Sequence, residues 1–266
     1  MADPKQKSSL TLAQIDEALK RILDGSIASV NGINPNLLDN WDFANPVNQK
    51  GRTEYADSGY CIDRWRSNTS KVKKIVVKND CFKLDTIEST YGWIVYEAIE
   101  ASRLVGKKLT ASVLAGNITG PAWSLLVSYR NASDSEIGSD SIRISGGLTQ
   151  ITVTVPANTA FVRVGVYASS SNYVHPGDSV SFYGAKLEIE SAQTLAHQDV
   201  SGNWVLNEIP DYGEQLLKCQ RYYQLFSGAD ARPSDLADYR PSMRANPAVG
   251  TIDIGGKTYY FSDANL

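Results

Sequence analysis

The chain has 266 residues, 42% hydrophobic and 21% charged, an ordinary balance for a globular protein long enough to bury a core without staples. Its 26 basic and 29 acidic residues give a net charge of −3, which excludes a surface built throughout as a basic sleeve for nucleic acid. The same balance leaves nucleic acid out of its expected partners, and because no run of eighteen apolar residues occurs, no membrane insertion is expected.

In chain order, the first predicted element is a helix. Thr11 and Gln14 form a capping-box pattern, and Gly25 supplies the stop. Between them Leu12, Ile15, Leu19 and Ile22 are spaced three, four, three, the rhythm of a coiled-coil seam. Two heptads are marginal alone in water, so the stripe must dock on its own domain, on copies of itself or on a larger assembly. These four residues are therefore the candidate oligomerisation or attachment positions, within an N-terminal attachment segment over residues 1–34.

Residues 35–191 read as an antiparallel β-sandwich, a jelly roll. Short alternating segments recur at Val72–Val77, Cys81–Ile87, Tyr91–Ile99, Leu109–Leu114, Trp123–Tyr129, Ile151–Val155, Val162–Tyr167 and Val180–Ile189. Turn clusters separate them, including Gly146-Gly147 and Pro176-Gly177-Asp178, and no helical pattern intervenes. The fold class is thus mainly β, with a short N-terminal helix before the sandwich. A β-rich extension is expected over 192–266, as extra strands or a small tip domain. Within it, Tyr212 to Phe226 carries helical spacing and strand-like aromatic density at once. Val249–Ile254 and Lys257–Phe261 flank Gly255-Gly256 as a tight hairpin.

Chemistry-bearing motifs are scarce. Cys61, Cys81 and Cys219 are odd in number, far apart and without metal-ligand spacing; they read as reduced thiols of a chain made in a reducing cytoplasm. His175 sits at a turn and His197 in a polar connection, neither with a second ligand at zinc spacing. No metal, cofactor or catalytic residue is therefore expected. The alternative is a glycan-degrading enzyme using paired carboxylates. Glu188 and Glu190 share a predicted strand face, whose ordinary reading is the solvated side of a sheet, and Asp57, Asp63 and Glu97 are further acids without distinctive spacing.

The aromatic residues are the better lead, because sugar rings present apolar faces that stack on Trp and Tyr while charged or amide groups hold the hydroxyls. Trp65, Trp93, Tyr96, Trp123, Tyr129 and Tyr167, with Arg163, are the candidate glycan-binding residues, and Tyr173 belongs to the same pool. A core aromatic looks the same in sequence, so the fold must decide among them.

Two groups of motifs carry a family resemblance. From Asn36 the chain reads NLLDNWDFANPVNQKG, then GYCIDRW over Gly59 to Trp65 and GAKLEIE over Gly184 to Glu190. YGEQLLKCQRYYQ (Tyr212 to Gln224) and PSMRANP (Pro241 to Pro247) follow. The first group resembles carbohydrate-binding-module-like jelly rolls of bacteriophage tail-fibre and virion-fibre proteins; the second is similar to the C-terminal signature of phage tail proteins. The resemblance implies a homotrimeric fibre or receptor-binding protein on the virion surface, of tail or head, made in the bacterial host cytoplasm. It would attach to other virion proteins through its N-terminal segment and present its sandwich to host-surface or environmental glycans. A capsid-decorating protein without a ligand is the other reading.

Overall fold

A computed structural model describes residues 34–48, 50–77, 81–120, 122–226 and 242–265. The candidate helix, with Leu12, Ile15, Leu19 and Ile22, lies outside the described residues. From Pro35 onward the chain forms one compact unit.

Its strands, in chain order, are β1 (Glu54–Tyr55), β2 (Gly59–Ile62), β3 (Trp65–Ser67), β4 (Val72–Val77), β5 (Cys81–Thr86) and β6 (Gly92–Glu100). Then come β7 (Lys108–Gly116), β8 (Ser124–Arg130), β9 (Glu136–Arg143), β10 (Gly147–Thr154), β11 (Phe161–Ala168) and β12 (Ser179–Ile189). The remainder are β13 (Ala196–Gln198), β14 (Trp204–Leu206), helix α1 (Tyr212–Gln220), β15 (Tyr223–Phe226), β16 (Ala248–Ile254) and β17 (Lys257–Asp263). The predicted class holds: the described chain is mainly β, with two six-stranded antiparallel sheets in a jelly-roll-like sandwich. The first sheet runs β1-β4-β5-β12-β7-β10 and the second β2-β3-β6-β11-β8-β9.

Period-two alternation explains which side chains enter the core. On β11, Val162, Val164 and Val166 are buried against the first sheet, while Phe161, Arg163 and Tyr167 stay half-buried on the outer face. Phe43, from the segment before β1, plugs the middle of the core: its ring stacks on Phe82 at 4.9 Å and tilts against Trp65 at 5.0 Å. Sequence patterning missed β9, which reads EIGSDSIR and is exposed along almost its whole length. An edge strand with no buried side has no apolar rhythm to betray it.

Residues 191–210 strap across the outer face of the first sheet through the β13–β14 hairpin. Leu195 and Ala196 are buried there. The strap takes up two charged groups of β12. Glu188 accepts hydrogen bonds from the Thr194 backbone N–H (2.7 Å) and hydroxyl (2.6 Å), and Lys186 pairs with Glu208. His197 accordingly sits on β13 rather than in an irregular connection.

The stretch from Tyr212 to Phe226, ambiguous in sequence, is both things in turn. Asp211 caps α1 by accepting from the Glu214 N–H at 2.7 Å, the helix ends at Arg221, and β15 follows. β15, β17 and β16 form a three-stranded antiparallel sheet. The β16–β17 turn uses Gly255 and Gly256 at φ of +58° and +77°, the pair of positive values that a tight two-residue hairpin turn requires. This C-terminal part is fastened to the sandwich by polar contacts. The Asn40 N–H donates to Gln215 Oε1 (2.7 Å), Arg244 pairs with Glu100 (2.5 Å), and the Arg64 guanidinium lies 3.4 Å from the Tyr222 ring centroid.

Candidate functional site

The outer face of the second sheet gathers four of the seven predicted residues. Across its strands run three rows in register: Arg66–Tyr96–Gly165–Leu126, Trp93–Tyr167–Ser124 and Ala98–Arg163–Ser128. Trp93 and Tyr96 are three residues apart, a spacing that would place them on opposite faces of a regular strand. A β-bulge between β6 and β11, at Val166/Tyr167, brings both to the outside.

There they form an aromatic cluster of their own, apart from the main core. The Trp93 ring lies 5.1 Å from Tyr96 and meets Tyr167 edge-on at 6.0 Å. Gly165 leaves the middle of the face without a side chain. A Cβ there would overlap the Val95 carbonyl oxygen and come within 2.5 Å of the Tyr96 Cα, so the aromatic row closes only over glycine. The Arg163 guanidinium covers Tyr96 at 4.7 Å and is held from its far side by Asp134 at 2.5 Å. Asp134 and Glu136 also pair with Arg130 (3.4 and 3.0 Å), which places a fixed charge network along one rim. Arg66 stands exposed at the other. Trp93 retains 9% of its surface and the Arg163 side chain 11%, so the half-buried Tyr167 and the exposed Arg66 form most of the accessible part of this face.

A second pair of aromatic residues lies just before β6 and before β12 in the chain. Tyr91 (52% exposed) and Tyr173 (37%) meet edge-on at 4.9 Å, joined through the Thr90–Val174 bridge. Tyr173 stacks on His175, whose Nδ1 lies 3.1 Å from the Ser89 hydroxyl. Sequence reading did not single out Tyr91 or Arg66. The usable signal for Tyr91 was its place before Gly92, which takes φ +91° and marks the chain turning into β6.

The other three predicted residues are elsewhere. Trp65 and Trp123 are core residues facing the space between the sheets, their indole N–H groups donating to the carbonyls of Asn40 (3.2 Å) and Thr119 (2.9 Å). Tyr129 is also buried in the core, its hydroxyl donating to Asp140 at 2.6 Å. Strand alternation turns all three inward.

The acids are engaged structurally. Asp63 accepts from the N–H groups of Val47 (2.6 Å) and Asn48 (3.1 Å), and Asp57 pairs with Lys50. Glu188 is fully buried under the strap, which corrects the expectation of a solvated face. Glu97, also fully buried, faces Arg64 at 3.2 Å and accepts from the Asp39 N–H, with the Asp39 carboxylate 3.4 Å from the same guanidinium. Burial pushes the Glu97 carboxyl well above the usual range, with the neighbouring Asp39 adding to the rise, and burial raises Asp39 as well against the pull of Arg64. Burial likewise raises the Cys61 thiol to about 11 and lifts Cys219 further. Among the described residues, no three His, Cys, Asp or Glu side chains converge as a metal site, and no helix is long and apolar enough to cross a membrane.

No protein-family model matches the chain, and no curated protein matches it. Solved structures do. TmCBM61 in complex with β-1,4-galactotriose is 12% identical over 59% of this chain and 99% of that one, with a TM-score of 0.36. A CBM4 module is 13% identical over 49% and 81%, with a TM-score of 0.34. The enzymatically active domain of bacteriophage CBA120 tailspike protein 4 is 11% identical over 58% of this chain, which spans only 21% of that protein, with a TM-score of 0.34. These likenesses are partial, each covering less than two thirds of this chain.

Proposed function

We propose that this chain is a non-enzymatic glycan-binding module of a bacteriophage fibre or receptor-binding protein. The observation that carries the binding reading is the cluster of Trp93, Tyr96 and Tyr167, capped by Arg163, on the outer face of a sheet where the main core gains nothing from it. A sugar ring laid on this strip stacks its C–H face on Tyr167, while Arg163 and Arg66 donate to its hydroxyls. The exposed Tyr91–Tyr173 pair extends the contact for a longer chain.

The virion role, with a trimer attached through the N-terminal segment, is supported by the family resemblance of the sequence motifs. Mass spectrometry and immunogold labelling of purified particles test it, together with light scattering of the full chain; a chain absent from particles and monomeric in solution overturns it. For binding, a glycan array identifies the ligand and calorimetry measures it. Tyr167→Ala and Arg163→Ala are each expected to weaken affinity at least tenfold with the circular dichroism unchanged. No array signal at all would leave the decorating role without a ligand, and release of reducing ends from a bound polysaccharide would favour the depolymerase.

A further inference from the structure

We infer a second saccharide-binding site on the opposite sheet, between the β13–β14 hairpin and the outer face of β7, β10 and β12. A cleft of about 360 Å³ lies there, lined by Leu114, Ala115, Gly147, Tyr183, Trp204 and Leu206. None of these belongs to the aromatic face of the second sheet.

Three backbone features hold its two aromatic walls in place. The β12 register shifts between Phe182 and Gly184, so Tyr183 is the extra residue of a bulge and projects out of the ladder. Gly116 lies beneath its ring, where a Cβ would press to 3.2 Å, and Asn117 Nδ2 donates to its hydroxyl at 3.2 Å. On the other side Gly147, at φ +86°, receives the edge of the Trp204 indole; any Cβ at this position would overlap the ring nitrogen. Leu206, two residues along β14 from Trp204, shares its face of the hairpin and joins Leu114 in the apolar lining.

Of the five tryptophans, Trp204 is the exposed one, at 37%, while Trp41, Trp65, Trp93 and Trp123 are buried. An indole kept half in water beside a tyrosine and an aliphatic floor is costly for a residue that only packs, and suits a ligand with an apolar face and a polar rim. The volume is that of a small-molecule site, too small for a docked helix. A pyranose ring meets both conditions, its C–H face on Trp204 and its hydroxyls toward the Tyr183–Asn117 pair.

The position of Trp204 gives the test a direct optical readout. The full chain is titrated with soluble gluco-, xylo-, galacto- and manno-oligosaccharides of four to six units while acrylamide quenching of tryptophan fluorescence is followed. The expected result is that at least one series protects the quenchable tryptophan, that Trp204→Ala and Tyr183→Ala each weaken that ligand at least tenfold by calorimetry, and that Tyr167→Ala leaves the protection intact. Trp204 remaining fully quenchable under every series overturns the second site, as does protection that disappears in Tyr167→Ala. Failure of the first face is read separately, as absence of binding heat in Trp204→Ala.

Discussion

Arg64 carries more consequence than any other residue described. Its guanidinium is enclosed by Glu97, Asp39 and the Tyr222 ring, and its Nη2 donates to the Ala98 carbonyl at 3.0 Å. Removing one partner of such a buried group leaves the others uncompensated, so Arg64→Ala is expected to cost about 3–5 kcal/mol in urea unfolding. Glu97→Gln should cost far less, because the amide still accepts from the Asp39 N–H and the cluster has a carboxyl to spare. The pH dependence separates the two roles. The folded chain protonates Glu97 at a higher pH than the unfolded chain, whose reference value is 4.5. Stability from this group therefore rises as pH falls from its raised folded value toward 4.5, by at most about 1.4 kcal/mol per pH unit for one proton. Unfolding of wild type and Glu97→Gln between pH 7.5 and 5 should show that gain in the wild type and a flatter profile in the variant. None of this was legible in the sequence. Glu97 read as one acid among several, and its burial depends on Arg64 and Tyr222, which lie 33 and 125 residues away.

Among the elements, the strands with one buried side were legible and the rest were not. Val162–Tyr167 announced itself by alternating valines, whereas β9 has no buried side and β1 to β3 are too short to show a period. The candidate face was half legible for a related reason. Trp65 and Trp93 are equally good aromatics in sequence, and only strand alternation and one bulge send the first inward and the second outward. That face stands on Gly165. Gly165→Ala forces a Cβ into the Val95 carbonyl and the Tyr96 backbone, so it is expected to lower stability by about 1–3 kcal/mol and to alter the near-ultraviolet circular dichroism of Trp93 and Tyr96. An unchanged spectrum would mean that the cluster does not depend on the missing side chain.

At the scale of the whole molecule, the C-terminal part is bound into the sandwich by groups that neither part satisfies alone. Gln215 is buried against Asn40, and Tyr222 lies between Arg64 and Arg244, the latter 5.8 Å from its ring centroid. Residues 35–266 are therefore expected to unfold in a single transition, with calorimetric and van't Hoff enthalpies equal. A chain cut before Asp211 should lose that transition rather than merely lower it. The two aromatic surfaces look away from each other, one from each sheet, across a sandwich whose layers stack roughly 10 Å apart. With binding at both faces as proposed, a flat surface could engage only one of them at a time, so the pair would add little avidity there. A hydrated polysaccharide mesh offers strands on both sides, so if both proposed sites bind, a single copy is expected to crosslink soluble polymer into aggregates, which turbidity of a polysaccharide solution would report.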